Sequence, residues 1–152
     1  MNWNWNETIF RVRAIILDWD KILLVRHKWN DFYALPWWKV DPGEKIKVAL
    51  ERELFEELWV KWEIWKMLFT HEFSYDKNRF WEVWEKNNIE FFFEVKNGKD
   101  FIWWVWTFAE SELDDIKWFK ITDENIWNLK PAFLKEKLLN WLDWIQDNFY
   151  SY

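Results

Sequence analysis

Cysteine is absent from this 152-residue chain, which excludes disulfides and every thiolate metal site. Its absence fits a reducing compartment, so a cytoplasmic location is expected. No apolar run is long enough to span a bilayer, and the N-terminal MNWNWNET has no signal-peptide pattern. That start reads as a loose polar terminus, and no membrane partner is expected. Basic residues are outnumbered by acidic ones, 21 to 27, and no basic stripe breaks the net charge of −6. A nucleic-acid surface is therefore not expected. The two histidines, His27 and His71, have no metal-ligand spacing and receive no role. Nothing in the sequence bears on oligomeric state.

Glycine is nearly missing as well. A chain of this length ordinarily holds about ten, whereas this one has two glycines and 18 tryptophans. Several tryptophans stand where the backbone asks for glycine. Asp18-Trp19-Asp20 separates two apolar segments, a place where Asp-Gly commonly forms the hairpin turn. Trp59 follows a helical pattern at the position that often turns left-handed. The pattern reads as tryptophan in place of glycine. Each bulky residue forced left-handed costs about 1–2 kcal/mol, against a domain stability of about 5–15 kcal/mol. Trp118, within IKWFKI, reads as an ordinary core aromatic.

The length suits one domain with a real core, and no linker or repeat divides it, so a single domain over 1–152 is expected. Residues 8–17 and 21–28 read as paired strands, and FYALP as a short strand leading into a loop over 37–46. Asp41-Pro42-Gly43 marks a turn there. A helix is expected from about Lys47 to Leu58. Residues 62–75 hold one or two strands, and the polar stretch 76–88 reads as a loop or hairpin connection. IEFFFEVK at 89–96 is a strand followed by an Asn97-Gly98 turn, and FIWWVWTF and IKWFKI suggest two more strands. A brief helix opens with Asp123 as N-cap, and Pro131 fits the first turn of a last helix. Strands around an early helix, with a late helix behind, indicate α/β layers.

The chemistry concentrates between Trp38 and Val60, WKVDPGEKIKVALERELFEELWV. On a helix, Glu53, Glu56 and Glu57 stand at i, i+3 and i+4 and share one face. Leu50, Leu54 and Leu58 point about a third of a turn away and can bury against a sheet. Three like charges on one face repel, and a cation would relieve them. Oxygen donors without cysteine favour a hard divalent ion, Mg²⁺ or Mn²⁺.

At these residues the sequence resembles the Nudix hydrolases, whose signature is G-x5-E-x7-R-E-U-x-E-E-x-G-U with U aliphatic. Glu44, Arg52, Glu53, Leu54, Glu56, Glu57 and Val60 fall in register, while Trp38 and Trp59 occupy the two glycine positions. The resemblance implies an α/β fold, a Nudix-like α/β/α sandwich with a mixed β-sheet between helices. It also implies hydrolysis of a nucleoside diphosphate linked to another moiety: a nucleoside triphosphate, an oxidised nucleotide or a nucleotide sugar. On that reading Glu53, Glu56 and Glu57 hold the metal, Glu53 or Glu57 is the base, and Arg52 orients a glutamate. A backbone carbonyl at Trp37 and a loop glutamate, Glu112 with Glu110 next, would complete the ligands. Glu44 would support the loop–helix geometry, as Gly43 supports the turn.

Arg11, Arg13 and Arg26 lie on the first hairpin, which in that family flanks the substrate cleft; any of them could meet phosphate or simply face water. Phe32 and Tyr33 could stack on a base or pack in the core, and Arg79 could reach a substrate from the polar loop. The alternative reading is a catalytically impaired binding module, or a scaffold engineered by Gly-to-Trp replacement. An RNA-cap or dinucleotide polyphosphate hydrolase would share the same motif.

Overall fold

A computed structural model describes residues 8–58, 61–79, 82–96 and 113–149. The expected loose terminus, the Asn97-Gly98 turn, the FIWWVWTF strand, and Trp59, Glu110 and Glu112 lie outside these residues. Six strands and three helices follow in the order β1 (Thr8–Asp18), β2 (Lys21–His27), β3 (Trp37–Lys39), α1 (Ile46–Leu58), β4 (Glu63–Arg79), β5 (Glu82–Lys96), β6 (Leu113–Lys120), α2 (Asp123–Ile126) and α3 (Phe133–Phe149). The fold is α/β with a mixed sheet and few helices. No described helix is long and apolar enough to cross a membrane.

The chain packs as two compact units, Met1–Ala14 with Trp37–Val95, and Ile15–Pro36 with Lys96–Tyr152. In the first unit the strand order is β4-β5-β1, and β3 pairs with β1. β3 is antiparallel to β1, with Arg11 opposite Lys39, Val12 opposite Trp38 and Arg13 opposite Trp37. Side-chain bonds from Arg11 to Asn88 and from Arg13 to Glu90 advance in the same direction along β1 and β5, as neighbouring parallel strands do. The core of this unit includes Ile9, Val12, Trp38, Ile64, Phe92 and Val95. Helix α1 packs on β3. Its buried residues Ala49, Leu50, Leu54 and Leu58 form the apolar stripe that the sequence spacing predicts.

In the second unit the end of β1 turns into β2 through Trp19-Asp20, and β2 pairs antiparallel with β6 along its whole length. Helix α2 packs against β6 and α3. Ile16, Ile22, Leu24, Leu35, Ile121, Ile126 and Leu134 are buried here.

Trp19 sits at φ 54, the left-handed conformation that glycine adopts freely in a two-residue hairpin. The turn geometry therefore persists, with tryptophan carrying the strain and its side chain 62% exposed. Among the described residues it is the single non-glycine at positive φ. Trp37 and Trp38 differ: both lie in β3, where an extended backbone suits any bulky residue.

Five expectations require correction. The segment 37–39 is a strand rather than loop, because Trp37 and Trp38, bulky aromatics suited to extended backbone, pair with β1. FYALP contributes only an isolated bridge, Ala34 to Val25. Residues 76–79 and 82–88, Arg79 included, belong to the long strands β4 and β5. Polar ladders join these strands: Asn87 donates to Glu72 at 3.0 Å and Ser74 donates to Asn87 at 3.2 Å. The N-cap of α2 is Thr122, in an extended conformation, and Asp123 is the first helical residue. Trp118 is only partly buried, as are Ile116 and Phe119 on the same strand.

Candidate functional site

Gly43 sets the entrance to α1. Its φ of +80 turns the chain after Asp41-Pro42, and the Glu44 N–H closes the turn on the Asp41 carbonyl at 3.0 Å. Glu44 is thereby carried to the start of the helix, facing Arg52 two turns on. Arg52 meets it as a fork, Nε to Oε1 at 2.9 Å and Nη2 to Oε2 at 3.0 Å. This planar match is the strong form of a guanidinium–carboxylate pair. Arg52 Nη1 donates both to Glu53 at 2.8 Å and to Glu56 at 3.2 Å, and Nη2 stands 3.5 Å from Asp41. One arginine thus ties the turn to three glutamates.

The charges respond accordingly. The hydrogen bonds from Arg52 hold the Glu44 carboxyl below the ordinary carboxylate range. Its bonds to Glu44, and then to Glu53, raise the Arg52 guanidinium above its already high value. Glu53 moves the other way: burial pushes its carboxyl up, and the neighbouring charges of Glu56 and Glu57 add to that push against Arg52. Glu57 is half-buried and Glu56 exposed.

Glu53, Glu56 and Glu57 offer hard oxygen donors, and the raised Glu53 carboxyl beside two further glutamates suits a position that a divalent cation would neutralise. The donor chemistry therefore fits such an ion. Among the described residues, however, no three Asp, Glu, His or Cys side chains converge closely enough to hold one. Glu53 and Glu56 are turned instead toward the guanidinium of Arg52.

A depression of about 450 Å³ lies beside the turn, lined among others by Phe10, Val40, Pro42 and Ile46, with Lys39, Asp41 and Glu44. Trp37 is half-buried, its ring beneath the guanidinium of Arg11 at 4.5 Å and beside that of Arg13 at 5.8 Å.

Arg26, Phe32 and Tyr33 belong to the second unit. Arg26 pairs with Asp114 at 2.9 Å and lies over the Tyr33 ring at 5.3 Å. The Tyr33 hydroxyl donates to Asp115 and its ring meets Phe119 edge-on at 4.8 Å. Burial, then the bond to Asp115, pushes the Tyr33 hydroxyl up to about 12. Phe32 is half-buried.

The sequence did not reveal a second charged cluster, on β1, β4 and β5. Arg13 donates from Nε and Nη2 to one oxygen of Glu90, and His71 Nδ1 lies 3.3 Å from the other. Glu90 is fully buried. Burial lowers the Arg13 pKa, and the pairing with Glu90 opposes that. The available signal was Glu90 itself, a charge inside the aromatic run IEFFFEVK, which a core tolerates only with a partner. The partner's identity, 77 residues away, was not readable. His27, the other histidine, is buried and stacks on Trp29 at 5.1 Å.

Comparison with known proteins gives a consistent pattern. The family model described as NUDIX domain matches residues 8–142. Among solved structures, the E. coli ORF135 protein is similar at 22% identity and TM-score 0.55, over 96% of each chain. A UDP-X diphosphatase shares 23% identity at TM-score 0.57, over 93% of this chain and 64% of its own. The C. elegans Ap4A hydrolase shares 18% identity at TM-score 0.57, over 91% of this chain and 99% of its own. No curated protein matches by sequence.

Proposed function

The chain belongs to the NUDIX domain family, and on that premise we propose that it hydrolyses a nucleoside diphosphate linked to another moiety. A nucleoside triphosphate, an oxidised nucleotide and a nucleotide sugar are the candidate substrates. The observation that carries this reading is α1, where Glu53, Glu56 and Glu57 share a helix braced to its turn by the Arg52–Glu44 fork. Solved neighbours whose names specify a diphosphatase and an Ap4A hydrolase lend the same direction.

Glu53, Glu56 and Glu57 would hold Mg²⁺, with Mn²⁺ as substitute, joined by the Trp37 carbonyl and by Glu112. The ion would withdraw charge from the diphosphate oxygens. Water attacks phosphorus, its proton passes to Glu53 or Glu57, and the anhydride P–O bond breaks to release a nucleotide and a second phosphorylated product. A carboxyl raised toward neutrality, as Glu53 is, suits proton transfer better than an ordinary one. Arg52 orients Glu53, and Arg11, Arg26, Phe32 and Tyr33 contribute to substrate binding. Residues 1–152 would serve as a single hydrolase domain, in the cytoplasm.

The grip of Arg52 on Glu53 and Glu56, with tryptophan at positions 37 and 38, favours a second reading: a binding module that keeps the fold without turnover. A nucleotide panel with Mg²⁺ or Mn²⁺ separates the two. The hydrolase reading expects release of a nucleoside monophosphate, reduced at least about 100-fold by Glu53→Gln or Glu56→Gln, the upper end of what lost metal-site partners cost. Folded protein that cleaves nothing, while binding nucleotide, establishes the module.

A further inference from the structure

Strand β1 presents Arg11 and Arg13 on one face, two residues apart. Both reach β5, yet they meet different chemistry. Arg13 finds the buried carboxylate of Glu90, whose second oxygen is engaged by His71. Arg11 finds an amide: its Nε donates to Asn88 Oδ1 at 3.0 Å, and the Asn88 amide nitrogen is itself directed to the Lys86 carbonyl at 3.4 Å. Asn88 is fully buried, so this arm cannot relax into water.

Arg11 differs in this from the other arginines whose side chains are described. Arg13, Arg26 and Arg52 each pair with a carboxylate, whereas among the described residues none lies against Arg11. Its neighbours instead add positive charge. Lys39 stands directly opposite it on β3, an arrangement that ordinarily destabilises a strand pair, and the charge of Arg11 is among the causes that lower the Arg13 pKa, behind burial. The guanidinium is nevertheless fixed in place, bonded through Nε and stacked on Trp37 at 4.5 Å. With Nε committed to Asn88, the edge bearing the two terminal nitrogens has the fork geometry that matches an oxyanion.

We propose that Arg11 anchors a phosphate-binding site, its terminal nitrogens gripping two oxygens of the ligand while Asn88 and Trp37 hold the guanidinium in position. Glu90, held by Arg13 on one oxygen and met by His71 on the other, is thereby committed and not available to Arg11. Asn88 is a positioning residue: an amide there fixes Arg11 without consuming its charge, which an aspartate would do. The phosphate is a substrate's own if the hydrolase reading holds, and a free anion otherwise.

The test is a calorimetric titration of inorganic pyrophosphate, and separately of a nucleoside diphosphate, into the full chain with a chelator present, so that neither metal nor turnover enters. The site predicts that Arg11→Gln and Asn88→Asp each weaken pyrophosphate at least about tenfold, the loss of one charged contact, while Lys21→Gln, at the exposed first residue of β2, does not. Asn88→Asp keeps the hydrogen bond to Arg11, so affinity lost with a retained folded NMR spectrum marks positioning rather than structural support. A nucleoside diphosphate weakened in step identifies the ligand as substrate phosphate; one unaffected identifies a separate anion at the same site. Pyrophosphate that fails to bind the parent chain, or binds folded Arg11→Gln or Asn88→Asp equally well, overturns the proposal, and either result leaves the metal-dependent hydrolase assay to be judged on its own.

Discussion

Two residues share a left-handed backbone with unequal chemistry: Gly43 at φ +80 and Trp19 at φ 54. A Cβ built on Gly43 meets nothing within 4 Å, so any cost of a side chain there is conformational rather than steric. Gly43→Ala is expected to lower stability by about 1 kcal/mol, and Trp19→Gly to raise it by a similar amount, after the added freedom of the unfolded chain is subtracted. Urea midpoints for both variants check this, and a loss of stability in Trp19→Gly would contradict it. The sequence disclosed Trp19 because a two-residue gap between apolar strands leaves few turn geometries. It misplaced Trp37 and Trp38 in the loop over 37–46, although bulky aromatics favour a strand.

Glu44 and Glu53, close in sequence, have opposite linkage to pH. The Glu44 carboxyl is held below its ordinary 4.5, so its pairing with Arg52 stabilises the fold above that value and is lost as pH falls through the lowered one. The Glu53 carboxyl is raised, so ionising it costs stability that returns as pH falls through the raised value and is fully restored below 4.5. Stability curves from pH 3 to pH 7 are expected to show wild type gaining on Glu44→Gln with rising pH and losing ground to Glu53→Gln. Parallel curves for all three proteins would refute the assigned environments.

Helix α1 illustrates what periodicity can and cannot disclose about an element. Leu50, Leu54 and Leu58 recur every fourth residue, and burial follows that spacing. Leu54 is fully buried whereas Phe55, next to it, is exposed. Leu54→Ala is therefore expected to cost about 2–5 kcal/mol, and Phe55→Ala within about 0.5 kcal/mol, as thermal unfolding can measure; comparable losses would mean the helix is docked on another face. The ends of β4 and β5 that face each other in sequence, 76–79 and 82–88, escaped the same reasoning. Their cross-strand contacts near Ser74 and Asn87 are polar, so no apolar alternation distinguishes a solvated ribbon from a loop.

Across the whole molecule, the motif in α1 was legible because its contacts are short in sequence: Arg52 reaches Glu44, Glu53 and Glu56 within eight residues. The Arg13–Glu90–His71 cluster and the Arg11–Asn88 bond were not, because they depend on which strands become neighbours. The two groups have complementary charge, carboxylates on the helix and guanidinium groups on β1. On the proposed hydrolase reading, the ion and Arg11 would each meet phosphate oxygens of the substrate. Arg11→Gln should accordingly raise KM for a nucleotide substrate about tenfold, with kcat changed less; an unchanged KM would remove Arg11 from substrate binding.

The central claim is that the α1 glutamates gather a divalent ion, two of them being hydrogen-bonded by Arg52 as well. Titration of Mn²⁺ followed by electron paramagnetic resonance reports this without substrate. The account predicts that the protein removes free Mn²⁺ signal saturably, that Mg²⁺ competes, and that Glu53→Gln and Glu56→Gln each weaken binding at least about tenfold. Mn²⁺ that stays free, or that binds both variants as tightly as the parent chain, would contradict it.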